Sequence, residues 1–160
     1  MSIRNKAIVM VASALIGVSS AASAKVDGPM VMTIEGVGSS ELLGWSWQAS
    51  QNISYPISSG GGGAGKVNIG ELNVTRYSDA QSAALLRYIV TGSHFDTVEF
   101  ARDGFKITLK NVLITSFNVG SSGDMKEPQT ENLSFAFGQI TYEVDDSPAY
   151  CYDRVSNTQC

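Results

Sequence analysis

Residues 105–117 and 130–144 place apolar side chains at every second position over most of their length. A period of two belongs to strands, and an amphipathic helix cannot reproduce it. The first stretch opens Phe105-Lys106-Ile107-Thr108-Leu109 and follows Thr97-Val98-Glu99-Phe100 across Arg102-Asp103-Gly104. The Asp-Gly turn predicts a hairpin there. In the second stretch Leu133, Phe135 and Phe137 share one face, whereas Ile140, Tyr142 and Val144 have the opposite parity. Gly138 sits at the switch, which predicts a bent strand that closes a barrel or crosses between two sheets. A chain built around such strands is committed to a mainly β fold.

Shorter strand patterns precede them. Residues 30–37 form an apolar-rich run, and residues 42–50 place Leu43, Trp45 and Trp47 on one face. Indole faces can stack a ligand, but two tryptophans at strand spacing read first as core or interface anchors. Residues 66–77 alternate with a change of phase at Gly70-Glu71, which predicts a bulge that re-aims one strand. A single helix stands out. Ser78-Asp79-Ala80-Gln81 has the form of a capping box, and Gly92 supplies a stop. Between them Leu85, Leu86, Ile89 and Val90 make an apolar face that must be buried on the sheet or on a neighbouring subunit.

The run Ser58-Ser59-Gly60-Gly61-Gly62-Gly63-Ala64-Gly65-Lys66-Val67 nearly spells a phosphate-binding loop. That motif needs Ser or Thr after the lysine and a helix behind it. Here Val67 offers no hydroxyl to a metal, and the alternating residues after it predict a strand. The run reads instead as a long flexible loop between two strands, with Lys66 marking the return into the second. Residues 120–129 read as a second exposed loop.

The N-terminus has the layout of a secretory leader: Arg4 and Lys6, then an apolar stretch, then Ala22-Ser23-Ala24 as a small-residue cleavage site. The apolar stretch is shorter than the ~20 residues needed to cross a bilayer. Residues 1–24 are therefore expected to be removed on export, with no stable membrane insertion afterwards. Their loss leaves nine basic against fifteen acidic residues, a net charge near −6 that disfavours nucleic acid as a partner. The only cysteines, Cys151 and Cys160, permit a local disulfide in an oxidising compartment, although spacing alone leaves open whether they pair within or between chains.

Chemistry is hard to place. His94 is the sole histidine, which leaves a nucleophile no choice of base and a metal too few ligands. The carboxylates are scattered, so neither an enzyme nor a cofactor or metal site is expected. The bottom-up reading is an exported β protein with one helix, acting in binding or assembly.

Six segments in order then resemble the haemolysin-coregulated protein (Hcp) family, the tube proteins of type VI secretion systems. They are Leu43-Gly44-Trp45-Ser46-Trp47, Gly60-Gly61-Gly62-Gly63-Ala64-Gly65-Lys66-Val67, Val74-Thr75-Arg76-Tyr77, Thr91-Gly92-Ser93-His94-Phe95, residues 107–114 and residues 130–135. The resemblance implies a compact β-barrel of two packed sheets with one flanking α-helix over residues 25–146, followed by a tail, 147–160. It implies six copies in a ring, rings stacked into a hollow tube, and secretion-system components or effectors as further partners. Gly60, Gly61, Gly62, Gly63, Ala64, Gly65 and Lys66 would form the loop used where rings meet. Trp45, Trp47, Leu85, Leu86 and Ile89 would serve as core and interface anchors. The leader and the cysteine tail depart from the family's usual cytoplasmic form. An exported paralogue serving as an envelope or extracellular assembly or adhesion module, without a contractile sheath, is the alternative expectation.

Overall fold

The computed structural model describes residues 28–54, 63–123 and 126–160. The expected leader and Gly60, Gly61 and Gly62 lie outside these. Eleven strands and one helix follow in order: β1 Met30–Ile34, β2 Gly38–Leu42, β3 Gly44–Ser46, β4 Ala49–Ser54, β5 Gly63–Ile69, β6 Leu72–Tyr77, α1 Ser82–Thr91, β7 Phe95–Arg102, β8 Phe105–Gly120, β9 Thr130–Val144, β10 Tyr150–Asp153 and β11 Thr158–Gln159. The two longest alternating stretches, β8 and β9, pair antiparallel along nearly their whole length, from Phe105↔Val144 to Gly120↔Thr130.

Both of these strands exchange their inward and outward faces at the same level. In β9 the buried residues pass from Leu133, Phe135 and Phe137 to Ile140; in β8 they pass from Ile107 and Leu109 to Val112 and Ile114. Gly138 marks the exchange on β9 and Asn111 marks it on β8, between the pairs Lys110↔Gln139 and Val112↔Phe137. Asn111 has φ 52°, the left-handed region that asparagine tolerates better than other side chains. A β-carbon on Gly138 would lie 3.3 Å from that of Asn111, so the kink is shared by two facing residues. Asn111→Val, which forces a β-branched residue into this conformation, is expected to cost about 1–3 kcal/mol in a urea melt. Asn111→Gly should be near neutral.

The remaining strands extend this pair on both sides. The order is β11-β10-β9-β8-β7-β1-β2, while β6 takes the other half of β9's free edge and β3 pairs with β6. Gly104, with φ 67°, makes the turn of the β7–β8 hairpin. The expected barrel of two packed sheets is thus realised differently. Among the described residues one curled nine-stranded sheet encloses the core, and the second sheet is the β4–β5 pair. Closure is incomplete, because no ladder among the described residues joins β2 to β6. The chain itself makes the crossing at Leu43, whose N–H donates to the Thr75 carbonyl at 2.8 Å as β2 gives way to β3. Phe100 and Phe135 meet edge-on inside, 5.9 Å between ring centres, in the same buried cluster as Met32, Leu72, Ile107 and Leu133.

Two local expectations are corrected. Gly70-Glu71 does not bulge a single strand; it separates β5 and β6, which lie in different sheets. Opposite it, Gln48 separates β3 from β4, and the Gly70 N–H donates to the Gln48 carbonyl at 2.9 Å. The two strands of a long hairpin therefore bend together, and the β4–β5 part leaves the main sheet as an arm. That arm also begins earlier than expected: Gly63, Ala64, Gly65 and Lys66 are strand residues, with Ala64 opposite Ile53. Gly65 is required by a close approach, since a β-carbon there would sit 2.9 Å from the Asn52 carbonyl oxygen.

Candidate functional site

The helix start is not the expected capping box. Gln81 occupies the N-cap position without a side-chain cap, and the Ser78 hydroxyl is buried without a partner. Asp79 does the work instead. Its Oδ1 accepts from the Gln81 N–H at 2.8 Å, and its own N–H donates to Ser82 Oγ at 3.0 Å. The far end follows expectation: Gly92 is left-handed with φ 65°, and the Ser93 N–H reaches back to the Tyr88 carbonyl at 3.1 Å. Tyr88 then stacks on Phe95 with 4.1 Å between ring centres.

Asp79 belongs to a larger cluster that fills the unclosed place between β2 and β6. Arg76, fully buried on β6, donates from Nε to Glu131 Oε2 of β9 at 3.0 Å. Its Nη2 reaches Asp79 Oδ1 at 2.9 Å and Ser82 Oγ at 2.9 Å. Its Nη1 turns to Ser40 of β2 and to Asp79 Oδ2. One guanidinium thereby ties β2, β6, β9 and the start of α1 together, a task suited to its planar fan of donors. Partial burial works to raise the Asp79 pKa, but hydrogen bonds from Ser40 and the Gln81 N–H, with the charge of Arg76, hold it below the usual aspartate value. Asp153 is lowered as well, chiefly by hydrogen bonds from the Ser156 N–H and the Gln139 amide. Carboxylates held in the ionised form are poor general acids at neutral pH.

The sequence carried a signal for this cluster. Arg76 has the parity of Leu72 and Val74, and Glu131 has that of Leu133, Phe135 and Phe137, so both charges were placed on inward faces. Opposite charges on the buried faces of two strands imply each other, because either alone would be costly to bury.

The expected anchors separate into two groups. Trp45 packs against Phe105 at 5.3 Å and Trp47 against Tyr142 at 6.5 Å, both half-buried. Leu43 shares no such packing and is 51% exposed, the chain turning at that residue. On the helix Leu85 is fully buried and Ile89 packs partly on the core, whereas Leu86 is 48% and Val90 77% exposed. The apolar face is therefore wider than the sheet covers. His94 is exposed, and no cluster of His, Cys, Asp and Glu able to hold a metal occurs among the described residues. Cys151 and Cys160 form a disulfide within the chain, with 5.4 Å between their α-carbons.

Comparison with known proteins gives this geometry a context. Residues 32–144 match the family described as type VI secretion system effector, Hcp. The chain is 36% identical over 92 residues to protein hcp1 of Pseudomonas aeruginosa, covering 52% of this chain and 55% of that one. It thus spans about half the length of that relative. Among solved structures, Hcp1 from Salmonella typhimurium superposes with a TM-score of 0.70 at 19% identity, covering 82% of this chain and 98% of the other. A structure described as a type six secretion system protein reaches 0.77 at 19% identity, covering 82% and 99%. At these identities the superpositions establish a common fold.

Proposed function

Because the chain belongs to the Hcp family of type VI secretion system proteins, we propose that it is exported, forms six-membered rings, and stacks them into a hollow tube. Its role is structural and not catalytic, and the lumen is suited to carrying effectors. The observation that carries this reading is the divided face of α1. Leu85 is withdrawn into the core while Leu86 and Val90, one helical turn apart, stand in solvent. Apolar surface left over by the protein's own sheet is what a neighbouring subunit would cover. The β4–β5 arm supports stacking, since it leaves the main sheet and its second strand begins at Gly63.

Mass photometry of the chain lacking residues 1–24 tests this. Hexamers are expected, and Leu86→Glu with Val90→Glu should give smaller species with unchanged circular dichroism, because neither side chain belongs to the core. A wild-type chain that stays monomeric at high concentration overturns the reading.

The disulfide supports export, since such bonds persist in oxidising compartments. It also favours the second reading, an exported Hcp paralogue that assembles in the envelope or outside the cell without a sheath. N-terminal sequencing of material from periplasm or medium should begin at Lys25. Cytoplasmic protein that retains Met1 would exclude export by this route.

A further inference from the structure

Between the base of the arm and the C-terminal strands lies a cavity of about 250 Å³. Trp47, Val67 and Ile69 form its arm side, and Tyr142, Tyr150 and Tyr152 form the other. Its surface is mostly carbon. A second hollow of about 330 Å³ shares Val67, Ile69 and Tyr152 with it and adds Lys66, Asn68 and Arg154. An apolar slot with four aromatic residues in its walls thus adjoins a polar mouth that carries two cations.

The polar groups around this site point to one sign of charge. Among the described residues, no acid lines either hollow. Two acids adjoin lining residues in sequence: Glu143, after Tyr142, pairs with Lys106 at 3.3 Å, and Asp153, between Tyr152 and Arg154, has its carboxylate taken by the Gln139 amide at 2.8 Å and the N–H groups of Val155 and Ser156 at 2.8 and 2.9 Å. Arg154 is held in place by donating Nη1 to the Phe137 carbonyl at 3.1 Å and lying over the Phe137 ring. Trp47 also carries a buried Nε1–H that takes no acceptor among the described residues.

We propose that this is a binding site for a small aromatic carboxylate, its ring in the apolar slot and its carboxylate toward Lys66 and Arg154. The volume sets the size: a dry cavity of about 150 Å³ accepts benzene, and drug-sized ligands need roughly 300 Å³ or more. The slot lies between these, enough for one ring and a short side arm. Tyrosine and tryptophan walls also suit a quaternary ammonium ion. Two cations at the mouth and no acid in the lining oppose that occupant. The proposal is independent of ring assembly. Half of the aromatic wall, Tyr150 and Tyr152, lies beyond the residues matched to the family.

The chain has two tryptophans, so Trp45→Phe leaves Trp47 as the sole indole and its N–H as a single resonance in a nitrogen-edited NMR spectrum. The experiment titrates phenylacetate, 2-phenylethanol and phenethyltrimethylammonium into this variant of the chain lacking residues 1–24. Phenylacetate should shift the Trp47 signal saturably and bind about tenfold tighter than the alcohol, the ratio that one charge-assisted contact supplies. The ammonium compound should bind least. Lys66→Gln, at an exposed residue with no part in the core, should weaken phenylacetate about three- to tenfold and leave the alcohol unchanged. A Trp47 signal that does not respond to phenylacetate, or an order with the ammonium compound first, would overturn the proposal.

Discussion

Arg76→Ala should remove about 3–5 kcal/mol of folding stability, because it leaves Glu131 charged, buried and without its partner. Both side chains are at most 1% exposed as whole residues, so water cannot replace the lost contact without opening the fold. The loss extends beyond one ion pair. Ser40, Asp79 and Ser82 also lose a donor, and these groups join β2 and the helix start across the gap where no ladder among the described residues links β2 to β6. Replacing the pair by apolar residues of similar volume, Arg76→Met with Glu131→Leu, should recover much of the Glu131 penalty while Asp79 remains unpaired. Urea melts of the two single variants and the double variant provide the cycle. A single-variant loss below about 1 kcal/mol would sink the idea that this cluster closes the fold.

The same cluster shapes the acid limb of stability. Asp79 has a folded pKa below its ordinary value of 3.8, so its contribution is fully present above that value. It is lost as the pH falls through the lower folded pKa, where the unfolded chain binds the proton more readily. Asp79→Asn should therefore flatten the stability curve below about pH 4 and leave its shape near neutrality unchanged. An acid limb of unchanged steepness would remove Asp79 from the account.

How far the fold could be read in advance depended on whether one rule acted alone. Strand identity was legible in β7, β8 and β9, where alternation and the Asp103-Gly104 turn agree. The face switch at Gly138 was legible because glycine advertises it. Its partner Asn111 was not, since an asparagine at positive φ looks like any polar residue on the outer face of a strand. The change of phase at Gly70 was correctly located and wrongly explained. A bulge and a crossing between sheets both shift parity, and only the pairing of β3 with β6 and of β4 with β5 separates them. Ser78 and Gln81 fit the capping-box pattern, yet Asp79 sits closer to the orphan N–H groups and is fixed there by Arg76. Tertiary contact overrode a local motif. Leu86 and Val90 fell on the right helical face, but periodicity gives the width of an apolar face and not how much of it one's own sheet covers.

Replacing Cys151 and Cys160 together by serine should cost about 2–3 kcal/mol, the loop-closure value for so short a separation. The tail has little else to hold its end. β11 contributes only the pairs Tyr152↔Gln159 and Asp153↔Thr158, and a hairpin of that size is marginal alone. β10 is different, because it pairs with β9 from Tyr150↔Tyr142 to Asp153↔Gln139, and the Arg154 N–H adds a bond to the Gly138 carbonyl at 2.9 Å. The tail is thus continuous with the strand at the centre of the core, and the loss should appear in the global melt as well as in local exchange. Comparing urea melts of the oxidised and the reduced wild-type chain gives the same difference without a mutation, and coincident curves would show that the tail unfolds separately. Hydrogen exchange should then find β10 and β11 opened while the amides of β7 and β8 keep their protection. Tyr150 and Tyr152 wall the aromatic cavity, so reduction should weaken phenylacetate binding at a denaturant-free pH where the barrel remains folded. A bond that stabilises the tail in an oxidising compartment would then also hold the binding site together.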